Sequence, residues 1–98
     1  MQIKFRTKKL EKICSEYAYS VKTYGPEMAV KINMRLDQIS AADSVEMLIA
    51  GRIGRCHPLT GNLQKIYAMD LVHPYRLEFE KTADSICTVR IITIEDYH

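Results

Sequence analysis

The stretch from residue 65 to residue 94, KIYAMDLVHPYRLEFEKTADSICTVRIITI, decides the fold because the apolar period of the sequence changes to two there. This period is typical of β-strands with one buried face. Three strands are predicted, KIYAMDL, YRLEFEK and ICTVRIITI, with turns at VHP and TADS. Because short connections join antiparallel neighbours, the second half of the chain is predicted to form a three-stranded antiparallel meander.

The middle strand of this meander predicts the direction of one cation. Successive side chains of a strand point to opposite faces, so Leu77 and Phe79 share one face while Arg76 and Glu78 share the other. If the apolar face packs against the rest of the chain, Arg76 projects from the exposed face of the sheet.

Upstream of the meander, apolar residues recur at steps of three and four, which indicates helices. The short alternating segment QIKFR is predicted to be an edge strand. Thr7 can then cap a helix from about Lys8 to Tyr24. The apolar stripe of this predicted helix consists of Leu10, Ile13, Tyr17, Val21 and Tyr24.

A second helix is predicted directly after the first, because Gly25 can end one helix and Pro26 can open the next. The buried face of this second helix is predicted to contain Ala29, Ile32, Leu36 and Ile39. A connection this short implies an antiparallel helical hairpin.

The segment between the hairpin and the meander is predicted to hold a short helix and a loop. Asp43 or Ser44 can cap the helix, which continues to about Ile49. The stretch GRIGRCHPLTGN, residues 51–62, has no apolar period and is predicted to be a functional loop. The complete order, strand, helices and then meander, predicts an α+β fold.

Length and composition favour one domain spanning residues 1–98, with an ordinary apolar fraction of 47%. The apolar runs are too short to span a bilayer, and the N-terminal segment lacks the apolar block of a signal peptide. A cytoplasmic protein without membrane contact is therefore expected. The three cysteines form no metal-binding pattern. Cys14 and Cys87 are interpreted as core residues, and Cys56 is not expected to act as a nucleophile although it precedes His57.

The net charge of +2 is distributed unevenly. Residues 1–55 contain ten Lys and Arg against six Asp and Glu, whereas residues 56–98 contain four against six. The first half is therefore the better candidate for contact with phosphate backbones, although a solvated helix surface would show the same excess. The candidate RNA- or ribosome-binding cations are Lys8, Lys9, Lys12, Arg52, Arg55 and Lys65.

Four motifs in one order carry a resemblance to a known family. They are HPLTGN at residues 57–62, Tyr67 in the next strand, Arg76 in YRLEF, and the terminal EDYH at residues 95–98. In this order and spacing they resemble the HigB family of toxins in the RelE/ParE superfamily. The resemblance covers essentially the whole chain and implies a RelE-like α+β fold, with an N-terminal strand and a helical hairpin packed on the meander.

The same resemblance implies a toxin of a type II toxin–antitoxin system. Such a toxin is a ribosome-dependent mRNA interferase, an endoribonuclease that cuts mRNA in the ribosomal A site and so inhibits translation. The RNA's own 2′-hydroxyl attacks the adjacent phosphate, and neither a metal nor a cofactor is used. The implied partners are the ribosome, mRNA and a HigA-like helix-turn-helix antitoxin, through which the toxin would reach operator DNA.

The resemblance carries five catalytic candidates, His57, Arg76, Asp96, Tyr97 and His98. Imidazole suits proton transfer near neutral pH, and the guanidinium fork suits the charge of a phosphorane. Asp96 is expected to orient His98 or a basic group, and Tyr97 to stack on a base or bond the phosphate. His57 as an ordinary loop residue, and Arg76 paired with Glu78, Glu80 or Asp70, are the structural alternatives.

One departure from the family pattern weakens the expected grip on phosphate. Thr60 stands where the HPLKG-like loop commonly has Lys, and Lys65, Arg52 or Arg55 would have to compensate. Two other functions stay open at this point. One is a ParE-like toxin that inhibits DNA gyrase, and the other is a non-enzymatic module that binds nucleic acid or a partner protein through the basic hairpin.

Overall fold

The computed structural model of the chain describes residues 1–61, 65–83 and 87–96. The first half contains strand β1 (Gln2–Phe5) and four helices. The helices are α1 (Lys8–Ser15), α2 (Tyr17–Tyr24), α3 (Pro26–Ala41) and α4 (Val45–Ala50), and a 3₁₀ turn follows at Ile53–Arg55. The second half contains β2 (His57–Pro58), β3 (Ile66–Asp70), β4 (Tyr75–Lys81) and β5 (Thr88–Asp96).

The strands described form one mixed five-stranded sheet in the order β1-β5-β4-β3-β2. The antiparallel meander β3-β4-β5 is confirmed. It is extended on both sides, because β1 pairs in parallel with β5 and β2 pairs antiparallel with β3. Residue 2 to residue 5 is therefore an edge strand, as predicted, but the sheet is wider than the meander alone.

The predicted helix from Lys8 to Tyr24 is wrong in one respect, since Glu16 breaks it with extended backbone angles of φ −113° and ψ 105°. Helix α1 packs against β1, whereas α2 packs alongside α3, and one straight helix cannot follow both partners. The break turns the predicted stripe residue Tyr17 outward, where it is 48% exposed.

The predicted helix boundaries are otherwise confirmed. The Thr7 hydroxyl accepts a hydrogen bond from Leu10 N at 3.1 Å, and the Ser44 hydroxyl accepts one from Met47 N at 3.2 Å. Ser44, and not Asp43, therefore caps α4. Gly25 has φ 91° between α2 and α3, a conformation that favours glycine, and Pro26 opens α3.

All four helices lie on the same face of the sheet. Leu77 and Phe79 of β4 are fully buried there together with Ile32 of α3 and Leu48 of α4. Full burial of such side chains contributes about 1.5–3 kcal/mol each before chain entropy is considered. The apolar face of the predicted meander thus forms one side of the hydrophobic core, and the helices form the other.

The cysteine predictions are confirmed in part. Cys14 is buried in α1, and Cys56 is buried beside the 3₁₀ turn, where burial raises the pKa of its thiol to about 11. A thiol with this pKa is not a nucleophile at neutral pH. The prediction of a buried Cys87 is wrong, because this residue precedes β5 and is exposed.

Three further observations complete the fold. Strand β5 continues through Asp96, two residues beyond the apolar run that ends at Ile94. The predicted turn at residues 82–85 and the predicted start of the last strand at residue 86 lie partly outside the described residues. Within the ranges that the structure describes, no helix combines the length and apolar character needed to cross a membrane.

Candidate functional site

Strand register places a set of chemically active side chains on the sheet face opposite the helices, which we call the open face. Its central row runs across four strands, with His57 paired to Ala68, Ala68 to Glu78, and Glu78 to Thr93. These residues alternate with the core residues on the same strands, so they share the open face.

The neighbouring row of the open face contains Asp70, Arg76 and Glu95, which are partners in β3, β4 and β5. Two interstrand spacings, about 10 Å, separate the backbone of His57 from that of Glu78. Because Ala68 lies between them with only a methyl group, the two rows define a polar area bounded by His57 on one side and Arg76 with Glu78 on the other.

Arg76 lies on the open face as predicted, but its guanidinium is not simply solvated. Its Nε donates to Oε2 of Glu78 at 2.8 Å, and its Nη2 lies 3.9 Å from Oε2 of Glu95. The Arg76 side chain is 21% exposed and the Glu78 side chain only 8%. Arg76 therefore holds two carboxylates together in a partly desolvated setting.

The carboxylate of Glu78 is the most buried acid of this cluster. Burial raises the pKa of Glu78 above its ordinary value of 4.5, and the neighbouring carboxyl group of Glu95 raises it further, while the Arg76 guanidinium opposes both effects. A carboxyl group with a raised pKa is a better proton acceptor than one in water.

His57 was predicted to lie in a loop, but it belongs to the short strand β2 and is half-buried. Its Nδ1 lies 2.7 Å from the carbonyl oxygen of Arg55. Because a carbonyl oxygen only accepts, Nδ1 carries the proton, and the Nε2 lone pair of the neutral ring is left to accept another. This contact fixes the tautomer that proton transfer through Nε2 requires.

The turn before His57 has an unusual backbone. Arg52, Gly54 and Arg55 all have positive φ, at 52°, 59° and 53°. At Gly54 an added Cβ would lie 2.6 Å from Nε of Arg35, so glycine is required there. The close approach matters because Arg35 Nε donates to the carbonyl oxygen of Asp70 at 2.6 Å, which holds the Arg35 side chain of α3 against Gly54 and the end of β3.

Asp70 also holds the turn through its side chain. Its carboxylate accepts two hydrogen bonds from Arg55, at 2.6 Å from Nε and 3.2 Å from Nη2. The Arg55 carbonyl in turn meets His57 Nδ1. Asp70 thus positions the imidazole through Arg55, and Arg55 is held by an acid instead of extending freely toward a phosphate.

A shallow cavity of about 350 Å³ opens next to this imidazole. It is lined by Ile49, Arg52, Arg55, Cys56 and His57. Arg52 and the imidazole could contact an anionic group of modest size there, whereas Arg55 is already paired with Asp70.

The strand register pairs Arg76 with Glu95 and not with Asp96. Asp96 pairs with Tyr75, whose ring makes an edge-to-face contact with Tyr24 of α2 at 5.5 Å between ring centroids. Alternation therefore puts Asp96 on the helical face, while Glu95 faces Arg76. Tyr97 and His98 lie outside the described residues.

The candidate cations fall into two groups. Lys8, Lys9 and Lys12 are exposed on α1, and Lys12 Nζ lies 4.6 Å from the centroid of the Tyr19 ring. Arg52 and Arg55 flank His57, and exposed Lys65 precedes β3 with φ 55°. Thr60, the position of the missing lysine, is exposed in the segment after β2.

Sequence reasoning missed three acids of the site as functional residues, Asp70, Glu78 and Glu95. The alternation in YRLEFEK already placed Glu78 beside Arg76, and that signal was available. The role of Glu95 depends on the register between β4 and β5, which local sequence does not fix. In the described part of the chain no three His, Cys, Asp or Glu side chains are grouped so as to hold a metal ion.

Helices packed on one face of a five-stranded mixed sheet confirm the predicted α+β, RelE-like fold class. Among solved structures, the chain is similar to the YoeB–YefM complex from Staphylococcus aureus, with a TM-score of 0.62 and 24% sequence identity. The match covers 100% of this chain and 97% of that chain. No family model and no curated protein sequence matches the chain significantly.

Proposed function

We propose that this protein is a toxin of a type II toxin–antitoxin system that acts as a ribosome-dependent mRNA interferase of the HigB kind. The observation that carries this proposal is the placement of Arg76 and His57 on one open face of a RelE-like fold. The ordered motifs around His57 and Arg76 and at residues 95–98 support the same assignment.

The proposed reaction is cleavage of mRNA in the ribosomal A site by attack of the 2′-hydroxyl on the adjacent phosphate. The products are a 2′,3′-cyclic phosphate and a free 5′-hydroxyl, and this displacement needs no metal. The Arg76 fork would bind the phosphate oxygens as negative charge builds on the phosphorane. His57 can exchange a proton through Nε2, because Nδ1 is committed to the Arg55 carbonyl.

In this arrangement phosphate would bind Arg76 by taking the place of a carboxylate. The exchange is chemically reasonable because phosphate oxygens match the guanidinium geometry as well as carboxylate oxygens do. The candidate roles of Asp96, Tyr97 and His98 belong to this proposal as the resemblance implies them. Asp96 would then act from the edge of the helical face, where β5 ends.

The proposed partners are a cognate antitoxin, the ribosome and mRNA, in the cytoplasm. The similar solved structure is a complex between YoeB and YefM, which supports an antitoxin partner for this chain as well. We propose a HigA-like helix-turn-helix antitoxin, through which the toxin would be held at operator DNA.

A non-enzymatic binding module is the second candidate, and one observation favours it. Both carboxylates around Arg76 are already close to its guanidinium, as expected for a structural ion-pair cluster. A ParE-like toxin that inhibits gyrase is the third candidate on the same fold.

Mapping of mRNA 5′ ends after induction separates these functions. We expect growth arrest, cuts inside codons and cyclic phosphate ends, with supercoiling by purified gyrase unchanged. Arg76→Lys keeps the charge but loses the fork, so cleavage should fall by about 10²-fold or more.

Arg90→Lys is the matched control, because Arg90 also lies on the open face and pairs with a glutamate, Glu80, at 2.9 Å. It should cleave like the wild type. Growth arrest with intact mRNA and inhibited gyrase would support the ParE-like function instead, and an active Arg76→Lys would remove Arg76 from the site.

A further inference from the structure

Cleavage by 2′-hydroxyl attack needs a proton acceptor beside the group that binds the phosphate. The attacking hydroxyl and the scissile phosphate belong to the same ribose–phosphate unit, so the base must lie within hydrogen-bond reach of that unit. If Arg76 binds the phosphate, the acceptor has to be one of the groups that surround the Arg76 guanidinium.

Among the residues that the structure describes, the carboxylates of Glu78 and Glu95 lie next to Arg76 and meet this requirement, and they differ in their surroundings. Glu78 lies 2.8 Å from Nε with its side chain 8% exposed, whereas Glu95 lies 3.9 Å from Nη2 with its side chain 51% exposed. A solvated carboxylate is a weak base, and a desolvated one is stronger. Asp96 is less suited, because it lies on the helical face.

We infer that Glu78 is the general base that takes the proton of the attacking 2′-hydroxyl, an assignment that rests on the proposed RNA cleavage. When a phosphate displaces Glu78 from Arg76, the carboxylate is released beside the ribose that carries the nucleophile. Arg76, which would bind the substrate phosphate, therefore also holds the Glu78 carboxylate near the reaction site before the substrate binds.

The step balances with groups on the open face. Glu78 accepts the 2′-hydroxyl proton as the 2′-oxygen bonds to phosphorus, and the bond from phosphorus to the 5′-oxygen breaks. The leaving 5′-oxygen takes a proton from the His57 imidazolium through Nε2. In the central row, Glu78 and His57 lie on either side of Ala68, about 10 Å apart across the strands, which suits an acid and a base that flank an in-line displacement.

The charged groups around Glu78 set the pH dependence of this step. Arg76 lies on its own strand, Glu95 on β5, Asp70 with its partner Arg55 on the side of β3, and the Glu80–Arg90 pair in the next row. Because burial raises the pKa of Glu78, this carboxyl group loses its proton at a higher pH than an ordinary carboxyl group does. The cleavage rate should therefore still rise with pH above the range in which ordinary carboxyl groups titrate.

The test is single-turnover cleavage of mRNA on ribosomes across the mildly acidic to mildly alkaline range. Glu78→Gln should lower the cleavage rate by about 10²–10⁴-fold while ribosome affinity is retained. The rise of the cleavage rate with pH on the acidic side of the profile, which we call the acidic limb, should be lost. Glu80→Gln is the matched control, since it removes the charge of a glutamate on the same strand and face that also pairs with an arginine. It should keep both the rate and the limb.

Glu78→Asp guards against a fold effect, because it keeps the charge and withdraws the carboxylate by one methylene. It should cleave slowly with the acidic limb present. Wild-type rates in a folded Glu78→Gln or Glu78→Asp protein overturn the assignment while leaving RNA cleavage intact. A wild-type protein that cleaves no RNA on ribosomes overturns the proposed function and this assignment together.

Discussion

At the scale of single residues, Arg76 combines a structural contact with its proposed role in cleavage. Its guanidinium neutralises Glu78, a carboxylate that is nearly inaccessible to water. A buried charge without a partner is costly, so Arg76 cannot be regarded as a surface residue that merely awaits a ligand. The sequence predicted the face of Arg76, but it did not predict this partial burial.

Arg76→Ala should therefore destabilise the protein by about 1–3 kcal/mol at neutral pH, since it leaves Glu78 without its charged partner. The raised pKa of Glu78 sets the sign of the pH dependence. Glu78 in its protonated form contributes to the stability of the folded protein at pH values below its ordinary pKa. That contribution is lost as the pH rises through the pKa that Glu78 has in the folded protein. The deficit of Arg76→Ala should consequently be larger at neutral than at acidic pH in urea unfolding.

Arg90→Ala is the appropriate comparison, because the Arg90–Glu80 pair is more exposed, with side chains 38% and 27% accessible. Its cost should stay below about 1 kcal/mol and vary little with pH. Glu78→Gln added to Arg76→Ala should restore most of the stability. An Arg76→Ala deficit that is the same at both pH values would contradict the role assigned to Glu78.

At the scale of elements, the segment from Gly51 to Gly61 does the positioning. The absence of an apolar period correctly predicted irregular backbone, but the positive φ of Arg52 and Arg55 has no local signal in the sequence. The two-residue strand at His57 is too short to show alternation and exists because β3 offers it a partner. Tertiary contacts, chiefly those of Arg35 and Asp70, determine this segment.

Gly54→Ala should disrupt the segment, because the new Cβ would lie 2.6 Å from Arg35 Nε at a residue with φ 59°. Gly61→Ala has a comparable φ of 72° but nothing within 4 Å, so it isolates the backbone strain, about 1–2 kcal/mol. In urea unfolding we expect Gly54→Ala to cost clearly more than Gly61→Ala, and to reduce cleavage through the displaced His57. Equal costs for the two variants would show that the Arg35 contact does not hold the turn.

The elements also show what the sequence could and could not predict. The meander and the ends of the helices follow from local patterns, such as the alternation in YRLEFEK and the caps at Thr7 and Ser44. The break at Glu16 and the pairing of β1 with β5 depend on contacts between distant segments, which no short window contains. The same limit explains why the position of Glu95 opposite Arg76 was not predicted.

At the scale of the whole molecule, the topology puts the last strand in the interior of the sheet. Strand β5 lies between β1 and β4, so Glu95 and Asp96 are paired residues and not part of a frayed tail. A parallel partner from the N-terminus and an antiparallel one from the meander fix its register. Glu95 thereby acquires a defined position opposite Arg76.

The distribution of charge over the molecule bears on how RNA would be recruited. Among the described residues, the cations of the open face and its edge include Lys4, Arg52, Arg55, Arg76 and Arg90. They are nearly balanced by the acids of the same face, Asp70, Glu78, Glu80 and Glu95. The lysines of α1 belong to the helical side of the sheet. This balance gives the open face little long-range attraction for a polyanion.

Naked RNA should consequently be cleaved weakly, because neither charge nor shape would hold its flexible backbone in line. On translating ribosomes the mRNA is held in place, and such positioning can supply several kcal/mol of the barrier. A variant in which Lys8, Lys9 and Lys12 are all changed to Gln should bind ribosomes more weakly and with a smaller salt dependence. Its cleavage rate at saturating ribosome concentration should be unchanged. Lys22 and Lys31 changed to Gln provide the control on α2 and α3. Equal cleavage of naked and ribosome-bound mRNA by the wild type would show that the open face recruits RNA unaided, and the charge balance would then have no functional meaning.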